Sequence, residues 1–272
     1  MIPKIIHYCW FGGNPLGENE KKCITSWKKY FPDYEIKLWD ESNYDVNKIT
    51  YTRQAYQEKK YAFVSDYARF DILYQYGGIY FDTDVEVIKS MDDIISLGAF
   101  MGCEAGLEKS VVNPGLGMAV EQGNAFYREV MEYYKSLQFF QKDGEQKGVI
   151  VGSIVTNLLK KKGLCHMKGI QNIAGIHIYP EEYFCPMNYL TNEINITENT
   201  YSIHHYSASW LTEEEKWKNE EIGKLSKYIG HFMARVIVLY MLEIKKNGWM
   251  SVFNFTCRKI RKRIFKIIKC DR

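Results

Sequence analysis

Two apolar runs frame the first forty residues: Ile5-Ile6-His7-Tyr8-Cys9-Trp10-Phe11-Gly12-Gly13 and Tyr34-Glu35-Ile36-Lys37-Leu38-Trp39. The first is short, apolar and stopped by a glycine pair, the pattern of a buried strand entering a tight loop. The second alternates and ends at Asp40, as a strand does. Between them Asn19 to Tyr30 reads as a helix, so the order is strand, helix, strand, the opening of a nucleotide-binding α/β sheet. The chain contains neither G-x-G-x-x-G nor G-x-x-x-x-G-K-[ST], so it carries no dinucleotide fingerprint and no P-loop.

Moving outward, residues 61 to 76 are predicted to be a helix, because Phe63, Tyr67, Phe70 and Tyr74 recur every three to four residues and Gly77-Gly78 supplies a stop. Ser65, Asp66 and Arg69 then share a second, polar face of that helix. It feeds directly into Gly77-Gly78-Ile79-Tyr80-Phe81-Asp82-Thr83-Asp84. Read as a strand, this stretch turns Asp82 and Asp84 to the same face. Two carboxylates there are costly to bury alone and readily held around Mg²⁺ or Mn²⁺. Farther on, 85–88 and 99–104 read as extended chain, Asn113-Pro114-Gly115 as a turn, Asn124 to Phe140 and 148–162 as helices, and 176–180 as a late strand. The cluster Tyr201-Ser202-Ile203-His204-His205-Tyr206-Ser207-Ala208-Ser209-Trp210 adds imidazoles, which ligate Mn²⁺ acceptably.

Composition sets outer bounds. The chain has 272 residues, enough for one large α/β domain and an appendage, and its aromatic share of 15% suits a surface that stacks on rings or sugars. Seven dispersed cysteines without a C-x-x-C pair argue for a reducing cytoplasm and against disulfides or a zinc site. The N-terminus lacks the features of a signal peptide. Net charge is +3, yet residues 257 to 272 alone sum to +7, leaving about −4 for the rest. That basic, isoleucine-studded tail reads as an interfacial helix on anionic lipid or as a helix packed on the body. No basic surface elsewhere points to nucleic acid.

Taken together, residues 6–13, Ser65-Asp66-Tyr67-Ala68-Arg69, residues 77–84 and residues 204–210 resemble glycosyltransferase family 32, over roughly residues 2 to 212. The resemblance implies an α/β, GT-A-type nucleotide-sugar-binding fold, assigned to residues 1–222; beyond them the change in residue character, and not the resemblance, marks 223–272 as a helical, basic amphipathic region. The resemblance further implies a retaining hexosyltransferase with a divalent metal, Mn²⁺ or Mg²⁺, and a nucleoside-diphosphate sugar, UDP-hexose in preference to a GDP-sugar. In that reading Trp10 stacks on the nucleobase beside the Cys9 backbone, while Asp66 and Arg69, supported by Ser65, hold ribose and sugar hydroxyls. Tyr80 and Asp82 face ribose and sugar, and Asp84 binds the metal. His205 or His204 is the late metal ligand, Ser209 and Trp210 close over the diphosphate, and Asn113 contacts sugar or acceptor. The acceptor would be a surface polysaccharide or lipid-linked saccharide at the cytoplasmic membrane face. A metal-dependent phosphohydrolase has no need of Trp10, and a carbohydrate-binding protein has no need of the Asp66/Arg69 and Asp82/Asp84 sets.

Overall fold

The structure is a computed structural model in which residues 1–104, 111–140, 148–165, 169–187, 193–207, 213–249 and 251 are described. The first unit contains β1 (Ile5–Cys9), α1 (Glu18–Tyr30), β2 (Glu35–Trp39), α2 (Thr50–Gln57), α3 (Tyr61–Tyr76), β3 (Gly78–Tyr80), β4 (Val85–Val87), α4 (Asp92–Ser96) and β5 (Phe100–Glu104). It continues with β6 (Val111–Val120), α5 (Ala125–Lys135), α6 (Val151–Lys161), β7 (Gln171–Ile173), β8 (Ile176–Tyr179), α7 (Glu181–Phe184) and β9 (Ser202–His204). The second unit is a pair of helices, α8 (Glu213–Ile229) and α9 (His231–Asn247).

Seven strands form one mixed sheet in the order β2-β1-β3-β6-β5-β8-β7. Strand β2 runs parallel to β1 and β1 to β3; β6 opposes both β3 and β5, and β5 runs parallel to β8. Strands β1, β3 and β5 therefore point the same way, and their carboxyl ends line one edge. This is the expected α/β class of fold, with a helical C-terminal segment. A second, two-stranded sheet pairs β4 with β9.

Strand alternation divides the core into two apolar layers. Ile6, Tyr8, Ile79 and Phe81 pack with α1 residues Cys23, Ile24 and Trp27 on one face. Cys9 and Tyr80 join α2, α3, α5 and α6 on the other. Trp27 is fully buried and donates its indole N–H to the Val85 carbonyl at 2.8 Å, so α1 fixes the strand that follows the Asp82–Asp84 segment. The glycine pair after α3 is obligatory. Gly77 (φ 63°) and Gly78 (φ 103°) both sit in left-handed backbone, and a Cβ on Gly78 would lie 2.6 Å from the Ile5 carbonyl oxygen. The Gly77 carbonyl also receives the His7 Nε2–H at 2.9 Å; His7 Nδ1 must be the acceptor of the other bond, because its partner at 3.0 Å, Trp39 Nε1, is donor only.

Three expectations need correction. Asn113-Pro114-Gly115 does not join two elements but lies inside β6, where the pairing with β5 shifts between Met101/Gly102 and several β6 residues leave the ladder. Proline, having no N–H to give, is tolerated at such a bulge. The helix expected from Asn124 to Phe140 stops at Lys135, and the one expected from 148 starts at Val151. The boundary expected at 222 falls inside α8. Ile222, on α8, packs with Ala234 and Val238 of α9 as the buried centre of the second unit. That unit is tied by a 2.6 Å Lys246–Glu214 ion pair and leaves Tyr228, Phe232 and Trp249 exposed. The basic residues 257–272 lie outside the described residues.

Candidate active site

A cavity of about 600 Å³ opens at the carboxyl edge of the sheet, where ligands of open α/β folds collect. Trp10, Ser65, Asp66, Arg69, Asp82, Asp84, Asn113 and His204 all line it. Asp82 and Asp84 reach it differently from the strand expectation. Strand β3 ends at Tyr80, and Asp82 to Val85 form a turn closed by a 3.1 Å bond from Val85 N–H to the Asp82 carbonyl. The Asp82 N–H is anchored on the Gly115 carbonyl of the β6 bulge, also at 3.1 Å. The turn, and not strand alternation, brings the two carboxylates together. With a ring nitrogen of His204 their oxygens lie within 4.8 Å of one another.

Arg69 organises the pocket floor. It is 3% exposed, and its Nη2 lies 3.0 Å from Asp66 Oδ1 and 3.1 Å from Asp82 Oδ1. Its Nε donates to the Ser65 carbonyl at 3.1 Å, and its guanidinium stacks 5.0 Å above the Tyr80 ring. The Tyr80 hydroxyl donates to Asp82 Oδ1 at 3.0 Å. The Ser65 hydroxyl turns back to the Tyr61 carbonyl. Burial pushes the Asp66 carboxyl up to about 7 against the pull of Arg69, with the Asp82 charge adding to the rise. Burial likewise pushes the Cys9 thiol up to about 12, so Cys9 contributes packing and backbone here and no thiolate.

Asp84 has its own partners. Oδ1 meets His204 Nε2 at 3.1 Å, and Oδ2 accepts the Ser207 N–H at 2.9 Å. Burial would raise its pKa, but the His204 charge and these hydrogen bonds outweigh it and hold the carboxyl at about 2. His204 feels the reverse: burial lowers its pKa, while the Asp84 charge and hydrogen bond give a net rise. His205 is placed elsewhere. Its Nε2 bonds Glu86 at 2.8 Å, a carboxylate also reached by Lys22, so among the described residues the imidazole in the cluster is His204. Trp10 lines the cavity, its N–H extending the β1 pairing to the Trp39 carbonyl and its indole N–H bound to the Asn14 carbonyl at 2.6 Å. Asn113 accepts the Gly115 N–H on Oδ1 and donates to Glu104. Ser209 and Trp210 lie outside the described residues.

The sequence reading missed Glu104, Tyr206 and Ser207, which also line the cavity. Glu104 ends a strand with no motif around it, and only the sheet order brings it beside Asn113. The donor set of the cluster, two hard carboxylates and an imidazole, fits Mn²⁺ or Mg²⁺. Beside it, the buried His204 Nδ1 and Ser207 Oγ have no hydrogen-bond partner among the described residues. Buried polar atoms left so are what a polar guest satisfies.

Residues 17–100 match the family described as "Glycosyltransferase sugar-binding region containing DXD motif". The chain is 36% identical over 108 residues to inositol phosphoceramide mannosyltransferase 3 of Schizosaccharomyces pombe, covering 37% of this chain and 29% of that protein. It is 32% identical over 108 residues to a mannosyl phosphorylinositol ceramide synthase of Saccharomyces cerevisiae, covering 37% of this chain and 27% of the relative. The chain thus matches less than a third of the length of these curated relatives. Among solved structures it is similar to PaToxG glycosyltransferase, with 20% identity, a TM-score of 0.46, and coverage of 60% of this chain and 70% of that one. It is also similar to galactosyltransferase LgtC in complex with donor and acceptor sugar analogs, with 14% identity, a TM-score of 0.40, and coverage of 82% and 95%.

Proposed function

We propose that this chain, which carries a DXD sugar-binding region of the family 32 type, is a metal-dependent retaining hexosyltransferase using a nucleoside-diphosphate sugar. The observation that carries the reading is the convergence of Asp82, Asp84 and His204 in one cavity with the Arg69 ion-pair set and the Trp10 ring. A phosphohydrolase would use the first group and leave the other two unexplained.

In this reading Trp10 stacks on the base, and Asp66, Arg69, Tyr80 and Asp82 bind ribose and sugar hydroxyls. A buried guanidinium shared by two carboxylates holds them in place before substrate arrives, and such preorganisation is the main source of catalysis when charge develops on a leaving group. Asp82, Asp84 and His204 would hold the divalent cation, Mn²⁺ or Mg²⁺, which when bound supplies Lewis-acid stabilisation of the departing diphosphate. The Ser207 N–H, on Asp84 Oδ2, keeps that carboxylate oriented. UDP-hexose is the proposed donor, with GDP-mannose the comparison that the mannosyl relatives suggest.

The acceptor is proposed to be a lipid-linked or surface saccharide. The names of the yeast relatives include a ceramide, and a membrane-borne acceptor suits a chain whose second unit exposes Tyr228, Phe232, Met233 and Trp249 ahead of a basic tail. No helix among the described residues is long and apolar enough to cross a membrane. The basic, isoleucine-studded tail is the motive for proposing a peripheral anchor, at the cytoplasmic membrane face.

Thermal-shift titration with UDP, GDP and their hexose derivatives, with and without Mn²⁺, tests the reading. Stabilisation that needs both nucleotide and cation is expected, and it disappears in Asp84→Ala. A wild-type protein that binds no nucleotide under any of these conditions overturns it.

A further inference from the structure

We propose that Glu104, through Oε1, binds a hydroxyl of the donor sugar and so sets which hexose the site accepts. The inference rests on the nucleotide-sugar reading above.

The sheet order places the relevant residues in sequence along one edge. Trp10 follows β1, Asp82 follows β3, Asn113 lies near the start of β6, and Glu104 ends β5. Because β6 runs opposite to its neighbours, its beginning meets the ends of theirs. Neighbouring strands are about 4.8 Å apart, so these residues step across the cavity one strand at a time. A ligand with its base on Trp10, its diphosphate toward Asp84 and its sugar beside Asp82 has the far side of that sugar toward Asn113 and Glu104.

Glu104 is built to receive it. Its Oε2 accepts two hydrogen bonds, from Asn113 Nδ2 at 2.8 Å and from the Tyr206 hydroxyl at 3.0 Å. Both supporting residues also touch the metal cluster's surroundings. Asn113 Oδ1 holds the Gly115 N–H of the bulge that anchors Asp82, and the Tyr206 ring lies 4.3 Å from His204. Among the described residues no hydrogen bond reaches Oε1, which is left to the cavity that Glu104 lines. An ionised carboxylate is acceptor only, so the group it suits there is a hydroxyl donor.

The support is directional and held at a cost. Tyr206 has φ 49°, a left-handed backbone that a bulky residue adopts only when its surroundings demand it. Its hydroxyl lies 2.8 Å from Cys185 Sγ as well as 3.0 Å from Glu104. The thiol also has the Met187 carbonyl as an acceptor at 3.8 Å, and the Tyr206 hydroxyl donates to Glu104. A site that hydrogen-bonds a hydroxyl rejects the sugar that lacks it, because a buried acceptor is then unpaired.

Glu104→Gln isolates the claim. Its amide oxygen can still accept from Asn113 and Tyr206, while an NH₂ donor replaces Oε1. In Mn²⁺, calorimetric titration with bare UDP and GDP is expected to match wild type within about twofold, since that part of the ligand is untouched. Hydrolysis of the preferred nucleotide-hexose is expected to fall roughly tenfold to hundredfold in kcat/KM, with flattened preference among glucose, galactose and mannose derivatives. Tyr206→Phe, a positioning variant, is expected to lose roughly threefold to tenfold in the same ratio and to bind bare nucleotide normally. Wild-type rates and sugar preference in Glu104→Gln overturn the proposal and leave the nucleotide-sugar reading standing. Lost binding of bare nucleotide in that variant also overturns it, by making Glu104 a support of the pocket. A wild-type protein that binds no nucleotide overturns both readings.

Discussion

Gly115 shows how closely the site is built at the scale of single residues. A Cβ there would stand 2.1 Å from Asp82 Oδ2 and 3.1 Å from Asn113 Oδ1. Asp82 is partly exposed and can move aside, so the fold can absorb the change but the cluster geometry cannot. Gly115→Ala is therefore expected to leave the melting temperature nearly unchanged and to weaken Mn²⁺-dependent nucleotide binding roughly tenfold or more, read by calorimetry. Unchanged affinity would mean that Asp82 does not touch the ligand. The choice between His204 and His205 also turns on one residue. Both are adjacent in sequence, but β9 ends at His204, opposite Val85 and so next to Asp84, whereas His205 passes to Glu86. Composition carries no phase information of that kind, which is why the pair could be read but not split.

At the scale of elements, α3 was legible to its ends. Its aromatic spacing and the Gly77-Gly78 stop define Tyr61–Tyr76, and the Asp66/Arg69 face needs only helical geometry. The β6 bulge was not, because Asn-Pro-Gly has the same local chemistry in a turn and in a strand that leaves its ladder. Pairing with β5 decides, and that pairing is non-local. Strand β1 carries a pH dependence through His7, which lies fully buried between Trp39 and the Gly77 carbonyl. Burial, offset in part by the Gly77 bond, lowers its pKa to about 4 from 6.5. A folded-state pKa below the unfolded value means that the unfolded chain takes up the proton first as pH falls. The stabilisation is complete above about 6.5 and is lost on descent toward 4. From pH 7.5 to 5 it amounts to about 2 kcal/mol. Urea unfolding of wild type and His7→Gln at both pH values is expected to show a loss on acidification smaller by about that amount in the variant. Asp66, raised to about 7, favours the folded state at low pH and loses that contribution as pH rises, but it is present in both proteins and cancels in the comparison. Parallel pH dependence in the two would remove His7 as the cause.

At the scale of the whole molecule, charge is segregated: a tail of +7 follows a body of about −4. Deleting residues 257–272 is expected to reduce sedimentation with phosphatidylserine vesicles severalfold at physiological salt, more at low salt, while donor hydrolysis in solution is unchanged. Equal sedimentation would show that the tail is not the anchor. The α/β class of the body was legible from its first forty residues, whereas the boundary of the helical unit was obscured because α8 is as charged on its surface as a loop would be. The cavity has a charge balance of its own. Four carboxyl groups, Asp66, Asp82, Asp84 and Glu104, and three basic side chains, Lys59, Arg69 and His204, line it, so its charges nearly balance overall while Asp82 and Asp84 concentrate negative charge where they converge. In the proposed function a diphosphate arriving alone would meet the like charge of Asp82 and Asp84, which a cation held there would offset. Nucleotide and cation would then each favour the other's binding, a coupling set by two carboxylates and not by any moving part.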